Sequence, residues 1–489
     1  MKTLAAAIAL FLLWTGSHAV ANDAARRPNI VFFLADDQRF DTLGCAGHPI
    51  VKTPNIDRLA ANGVRFENMF VTTSVCWVSR AVLLTGQWAR SHSEPANMPR
   101  VRPEPLAGAF PIRLRASGYH TAFYGKWHPT GPPGAGPGQL YDEFEVITRK
   151  PYLKPQDDGS TRHEAQLIGD RAVDFLSRQD ASRPFSLNLW FNSAHAEDGD
   201  RRPGHHYQWP ETTDGMYEDV AIPPPRLSDP SICENHPDFL KASINRERFF
   251  WGYDTPEKFA TNMRAYFRML SGIDHEVGRV LRALDEHGLA DNTIIVYSAD
   301  NGYYMGDRGF QGKWSHYEQS LRVPLVIYDP RAPKEARGSV ASEMVLNVDL
   351  PATFLDWADV ATPTSYQGRS LTPLVAGQRP TEWRDAFFCE HLDLSPTLVW
   401  EGVRGSRYVY ARYVHQQPVF EFLHDLRDDP DELVNLAQDR DSASILSEMR
   451  AQCDALRSNL GPEIPPPKKG GGKRGRGQAQ PVAGLPSAP

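Results

Sequence analysis

Two short runs of apolar residues, Asn29 to Ala35 (NIVFFLA) and Thr293 to Tyr297 (TIIVY), show no alternation of polar and apolar positions and are rich in β-branched and aromatic residues. Such a run has no solvated face, so each predicts a strand covered on both sides within a parallel sheet. Both runs stop at paired oxygen ligands. Asp36-Asp37 follows the first; beyond Ser298 and Ala299, Asp300-Asn301 and then Gly302 follow the second. Two further runs repeat the pattern: His120 to Tyr124 leads into Gly125-Lys126-Trp127-His128, and Phe185 to Phe191 leads into Asn192-Ser193-Ala194-His195.

Helical patterns separate these runs. Pro54 to Asn62 has Pro at its start and Gly63 just past its end, the usual asymmetry of a helix. From Glu257 to His287, Phe259, Met263, Phe267, Leu270, Ile273 and Val277 recur at steps of three and four, which lays one apolar stripe along a helix. Strands alternating with helices predict an α/β fold with a large, mainly parallel sheet sandwiched by helices, and such sheets bind ligands at the carboxyl ends of their strands. All four polar motifs sit at such ends, so they are expected to converge. After about Gln378 the pattern changes to short strand-like runs (Ala386 to Cys389, Tyr408 to Tyr413, Val419 to Leu423) and a helical one from Ser444 to Asn459. This predicts a main domain over 22–377 and a smaller C-terminal antiparallel α+β subdomain over 378–460.

The chain has 489 residues, 41% hydrophobic and 23% charged, a globular balance with enough apolar material for a large core. Its formal charge of −7 argues against a nucleic-acid partner. At the N-terminus, Lys2 precedes an apolar run from Leu4 to Trp14, shorter than the ~20 residues of a membrane span. Small residues follow at Ala19 and Ala21, so 1–21 reads as a cleaved export signal that sends the chain to the periplasm or outside without stable membrane insertion. At the other end, 461–489 embeds Lys468, Lys469, Lys473, Arg474 and Arg476 in Pro and Gly and reads as a disordered basic tail. Without these two ends the remaining body is more acidic still.

Five cysteines in an exported chain make no disulfide scaffold, and the odd count singles one out. Cys76 and Arg80 lie four apart, on one face if a helix begins near Cys76. Free backbone N–H groups there favour an anion, and a guanidinium one turn along would steady any oxyanion formed there. The plainer reading of this pair is a small buried cysteine beside a surface arginine. If Cys76 is set aside, Cys45, Cys233, Cys389 and Cys453 form an even set for which pairing is allowed but not required.

From Pro28 to about Ala437 the chain resembles the formylglycine-dependent (type I) sulfatases of the alkaline-phosphatase superfamily. The matching text is PNIVFFLADDQRFDTLGC, TPNIDRLAANGVRFENMF, CWVSRAVLLTG, YGKWH, SADNGYYMGDRGFQGKW, YEQSLRVPLVI and FLHDLRDDPDELVNLA. In that family the motif cysteine is oxidised by a formylglycine-generating enzyme to an aldehyde whose hydrate is the nucleophile, and Cys76 occupies that place. The resemblance implies that Asp36, Asp37, Asp300 and Asn301 hold one calcium ion, that Arg80 stabilises the nucleophile with His128 on its second hydroxyl, and that Lys126 and Lys313 bind sulfate oxygens. His195 falls where the family has the general acid. The residue types suit the reaction, because a sulfate ester needs fixed cations around its oxygens and a proton for its departing alcohol.

The sequence departs from that pattern in places. Val78 stands where Pro or Ala is usual between the motif cysteine and arginine, Ser193-Ala194-His195-Ala196 lacks the customary flanking prolines, and Arg308 stands where many relatives have His. Arg308, as an added cation, is either a substrate-contact candidate or a surface residue; Glu390, His391 and Arg404 in the smaller subdomain are further substrate-contact candidates, with subdomain packing as their alternative. The stretch from Asp198 to Arg248, rich in His, Pro, charge and aromatic residues, reads as a long functional loop suited to sugar rings, with His205 and His206 as a solvated pair. The expectation is an exported sulfatase acting on a sulfated carbohydrate. A phosphonate or phosphate-ester hydrolase, and a non-catalytic sulfated-glycan-binding protein with unconverted Cys76, are the competing readings.

Overall fold

The computed structural model describes residues 27–463, apart from 95–97, 99, 130, 133, 134, 181, 203, 393–397 and 462. The expected export signal, and the expected tail except Gly461 and Glu463, lie outside the described residues.

The main sheet contains β1 (Asn29–Ala35), β2 (Val64–Phe70), β3 (His120–Gly125), β4 (Glu143–Val146), β7 (Phe185–Trp190), β8 (Thr293–Ala299), β9 (Arg322–Tyr328) and β10 (Ser339–Leu346). The intervening β5 (Leu153–Pro155) and β6 (Thr161–His163) form a small separate hairpin. Across the sheet the order is β10-β2-β9-β8-β1-β7-β3-β4. Every neighbouring pair is parallel except the two made by β9, which runs against both β2 and β8. The predicted apolar runs are the central strands. All seven residues of β1 and all seven of β8 are buried, and the two pair in register from Asn29 opposite Thr293 to Ala35 opposite Ala299. This register brings Asp36-Asp37 and Asp300-Asn301 out at the same edge. Phe32 of β1 meets Phe354 at 5.3 Å, and Phe354 meets Phe110 at 5.1 Å, so the helices Asp349–Trp357 and Phe110–Ala116 cover that face.

Two helices confirm the spacing argument closely. Helix α1 spans Pro54–Asn62, and a long helix spans Pro256–Glu286. The N-terminus of α1 is capped across the fold: Asp274 of the long helix accepts from the backbone N–H of Asn55 and Ile56 at 3.0 and 2.8 Å. A carboxylate there satisfies donors that a helix start leaves open.

The smaller sheet is antiparallel throughout: β11 (Ala386–His391), β12 (Trp400–Gly405), β13 (Tyr408–Tyr413) and β14 (Phe420–Asp425), with the helix Ala443–Ser458 following. Buried ion pairs lock it to the main body. Arg90 Nε lies 2.7 Å from Glu390 and Arg90 Nη2 lies 2.9 Å from Glu401, all three side chains being inaccessible or nearly so.

Two expectations change, and the open question of cysteine pairing is answered. The described residues of 198–248 are not one long loop: they carry short helices at Pro230–Glu234 and Asp238–Lys241 and run into the helix Ile244–Gly252. Its histidines are not a solvated pair, for His205 is exposed but His206 is buried with Nε2 against Gln311 at 2.6 Å. All five cysteines are free thiols, and four of them are buried.

Candidate active site

Helix α2 (Cys76–Thr85) begins at Cys76, after Val75 in extended backbone, and ends at Gly86, whose φ of 65° suits a glycine closing a helix. Arg80 is one turn along and fully buried. Each of its three guanidinium nitrogens donates: Nε to Asp300 Oδ2 at 2.7 Å, Nη1 to the Lys126 carbonyl at 3.2 Å and Nη2 to the Phe191 carbonyl at 3.1 Å. One side chain thus ties together the ends of β3, β7 and β8. The surface-arginine alternative fails for this residue.

The other motif residues gather around it. Lys126 pairs with Asp36 and Lys313 with Asp37. His128 Nδ1 lies 3.4 Å from Cys76 Sγ, and His195 Nε2 lies 3.6 Å from Asp37 Oδ2. The His195 loop is braced from below by Glu164, which accepts from the backbone N–H groups of Asn192 and Ser193 at 3.2 and 3.0 Å and from the Ser193 hydroxyl at 2.6 Å. Asp37 itself adopts φ 56°, a left-handed conformation that Asp tolerates better than most residues, and its carbonyl accepts from the Tyr266 hydroxyl at 2.8 Å.

The electrostatics follow from burying many charges together. Burial alone raises a carboxyl pKa, but Lys126, His195, Arg80 and Lys313 outweigh it at Asp36 and hold that group well below the usual range. Asp37 is pushed up, by burial first and by Asp36 despite Lys313. Asp300 is pushed up to about 7 by burial and by Asp36. Burial, then Lys126, pushes His128 down to about 3, and burial, then Arg149, pushes His195 well below the imidazole range. Both rings are therefore neutral at neutral pH.

These carboxylates fit a hard cation. Asp36 Oδ1, Asp37 Oδ2 and Asn301 Oδ1 are all buried with no hydrogen-bond partner, and an oxygen-only donor set of this kind is what calcium takes. Ligand atoms of Asp36, Asp37 and His195, and of Asp36, Cys76 and Asp300, lie within 4.8 Å of one another.

A profile of the sulfatase family matches residues 28–360, and one for the C-terminal part of N-sulphoglucosamine sulphohydrolase matches 306–459. The chain belongs to the sulfatase family. It is a sulfuric ester hydrolase of the alkaline-phosphatase superfamily. Among curated relatives, it is similar to the N-acetylglucosamine-6-O-sulfatase of Bacteroides thetaiotaomicron, 26% identical over 480 residues that cover 85% of this chain and 83% of the relative. It is 29% identical over 452 residues to an arylsulfatase of Clostridium perfringens, covering 84% and 90% of the two chains. A protein solved with its substrate D-glucosamine-2-N,6-O-disulfate shares the fold with a TM-score of 0.73 at 24% identity, covering 89% of this sulfatase and 98% of that chain.

Some candidates lie elsewhere. Arg308 does not face the cluster: it is fully buried, stacked on Tyr317 at 3.9 Å, and it donates to the carbonyls of Asp431 and Glu432 and to Gln319. Arg404 is spent on Glu318 at 2.9 Å and on the Gly405 carbonyl, and Glu390 on Arg90. These partners hold all three in the seam: for Glu390 and Arg404 that is the packing alternative, and Arg308 is not a surface residue. His391 is buried at the end of β11, opposite Trp400 and next to the undescribed 393–397. Conversely, no motif in the sequence marks Arg149. Its guanidinium rests against His195 Nδ1 and donates to the Ala196 carbonyl at 2.6 Å, a contact made across 46 residues of chain.

Proposed function

We propose that this sulfatase hydrolyses a sulfate monoester carried on a carbohydrate, with a formylglycine made from Cys76 and with one calcium ion held by Asp36, Asp37, Asp300 and Asn301. The observation that carries the reading is the gathering of Cys76, Arg80, Lys126, His128, His195 and Lys313 around buried carboxylate oxygens that have no protein partner. The carbohydrate part draws support from the relatives' names, one an N-acetylglucosamine-6-O-sulfatase and another an ulvan-active sulfatase of Formosa agariphila.

Converted, Cys76 would supply a hydrated aldehyde as nucleophile, and a calcium ion held by Asp36, Asp37, Asp300 and Asn301 would supply positive charge to the sulfate. The remaining work falls to the chain's own side chains. Lys126 and Lys313 place ammonium groups beside the carboxylates, where sulfate oxygens gain charge as the ester bond breaks. Arg80 fixes Asp300 and steadies the start of α2. Neutral His128 is placed to hydrogen-bond the group at position 76. His195 Nε2, on the Asp37 side, is the atom that passes a proton to the departing alcohol, and the arriving sulfate raises its affinity for that proton.

Export, maturation by a formylglycine-generating enzyme, and the division into a catalytic domain over 22–377 and a subdomain over 378–460 belong to the same reading. No helix among the described residues is long and apolar enough to cross a membrane. The test is sulfate release from a panel of sulfated mono- and oligosaccharides. Wild type is expected to release sulfate from a sugar and Cys76→Ala to release none while staying folded. Undiminished release by Cys76→Ala would refute the nucleophile, and turnover of phosphonate esters alone would refute the substrate class.

A further inference from the structure

A second group of cations lies between the His195 loop and Lys313, and the chemistry above leaves it unused. Asp198, three residues beyond His195, sits between two guanidinium groups: Arg248 Nη2 donates to its Oδ2 at 3.0 Å, and Arg149 Nη2 is 3.9 Å from the same oxygen. Arg149 reaches His195 from that position. Arg248, on the helix Ile244–Gly252, lies over the ring of Trp314 at 4.8 Å and of Trp251 at 5.3 Å, and Trp314 directly follows Lys313. Arg201 stacks on Trp251 at 3.9 Å. The group therefore touches His195 at one end and Trp314, the residue after Lys313, at the other. That is the side on which the alcohol departs.

Its charge is unbalanced. Two guanidinium groups share the Asp198 carboxylate and a third, Arg201, stacks on the same Trp251 ring as Arg248, while the neighbouring Lys150 is paired with Glu197 at 3.0 Å. Arg248 makes one hydrogen bond among the described residues, and its Nε is buried without a partner. Only 13% of its side chain is exposed, and its one ion pair is to the Asp198 carboxylate that it shares with Arg149. A guanidinium clamped by indole rings has already lost its rotamer freedom, and its planar fork matches the oxygens of a sulfate or carboxylate.

We infer that Arg248, with Arg149 and Arg201, forms a second anion subsite that takes a further sulfate or a carboxylate on the leaving-group side of the substrate. The class of substrate then narrows to glycans with at least two anionic groups. This rests on the carbohydrate-sulfatase reading and sharpens it.

Calorimetric binding to the non-hydrolysing Cys76→Ala protein tests the inference. The probes are a hexosamine monosulfate, the same hexosamine with a second sulfate, the monosulfate joined to a uronic acid, and a pair of aryl sulfates with and without a carboxylate. Doubly anionic probes are expected to bind ~10- to 100-fold tighter than their singly charged counterparts, the range of a charged hydrogen bond. Adding Arg248→Gln collapses that ratio, and Arg248→Lys restores part of it. A preference shown by the disulfate or by the uronate identifies the second anion. Equal binding within each pair, or a ratio that neither Arg248→Gln nor the exposed Arg201→Gln alters in folded protein, overturns the subsite. If only the aryl pair binds and shows the preference, the subsite stands and the carbohydrate reading falls.

Discussion

Arg80 is inaccessible to solvent yet hydrogen-bonds a carboxylate and two backbone carbonyls drawn from three different strand ends. The i to i+4 spacing from Cys76 was visible in the sequence; the carbonyl partners were not, because they come from segments 46 and 111 residues away. The same limit explains Arg308. As text it is a lone cation in a motif, and only the return of 431–432 over it makes it a seam residue. Buried histidines away from the cluster carry a prediction of their own. His236, stacked on Phe310 at 4.9 Å, is pushed down to about 3 by burial and then by Arg308. Its folded value lies below its unfolded one, so the unfolded chain takes up the proton first and stability is lost as pH falls below ~6.5. Relative to His236→Phe, wild type is expected to lose about 2 kcal/mol between pH 6.5 and 5 in urea unfolding. Parallel pH dependence in the two proteins would contradict this.

Elements fix where the side chains emerge. The central strands were legible because a strand buried on both faces admits few polar residues, and their ends were legible because the polar residues begin there. The edge and crossing strands were less so. β12 (WEGVRG) holds buried Glu401 and Arg404, whose charges are matched only by distant partners, so nothing local marks it as a strand. Where β3 hands over to Lys126, Gly125 has φ 121°, and a Cβ there would lie 2.0 Å from the Trp190 carbonyl oxygen. Gly125→Ala must therefore push β3 away from β7. It is expected to cost ~2–4 kcal/mol of stability, measured by urea unfolding, and to lower kcat by displacing Lys126. Wild-type stability and kcat in that variant would show that the strand end tolerates movement.

For the whole molecule, the acidic body and its anionic substrate are reconciled by concentration of positive charge. Lys126, Lys313 and Arg80 each face a carboxylate, and the unpartnered oxygens of Asp36, Asp37 and Asn301 leave room in the electrostatics for one more cation. Metal binding should thus be linked to folding. Calcium at a hundred times its Kd is expected to raise stability by about 2.7 kcal/mol over chelated protein, with activity lost and regained in step. Unfolding and turnover that both ignore prolonged chelation would remove the metal from the account. The most direct test of the central claim is the mass of the peptide containing Cys76 in sulfate-releasing protein from its native host. Replacement of the thiol by an aldehyde at position 76 is expected, and an unmodified thiol in active protein would contradict the formylglycine nucleophile.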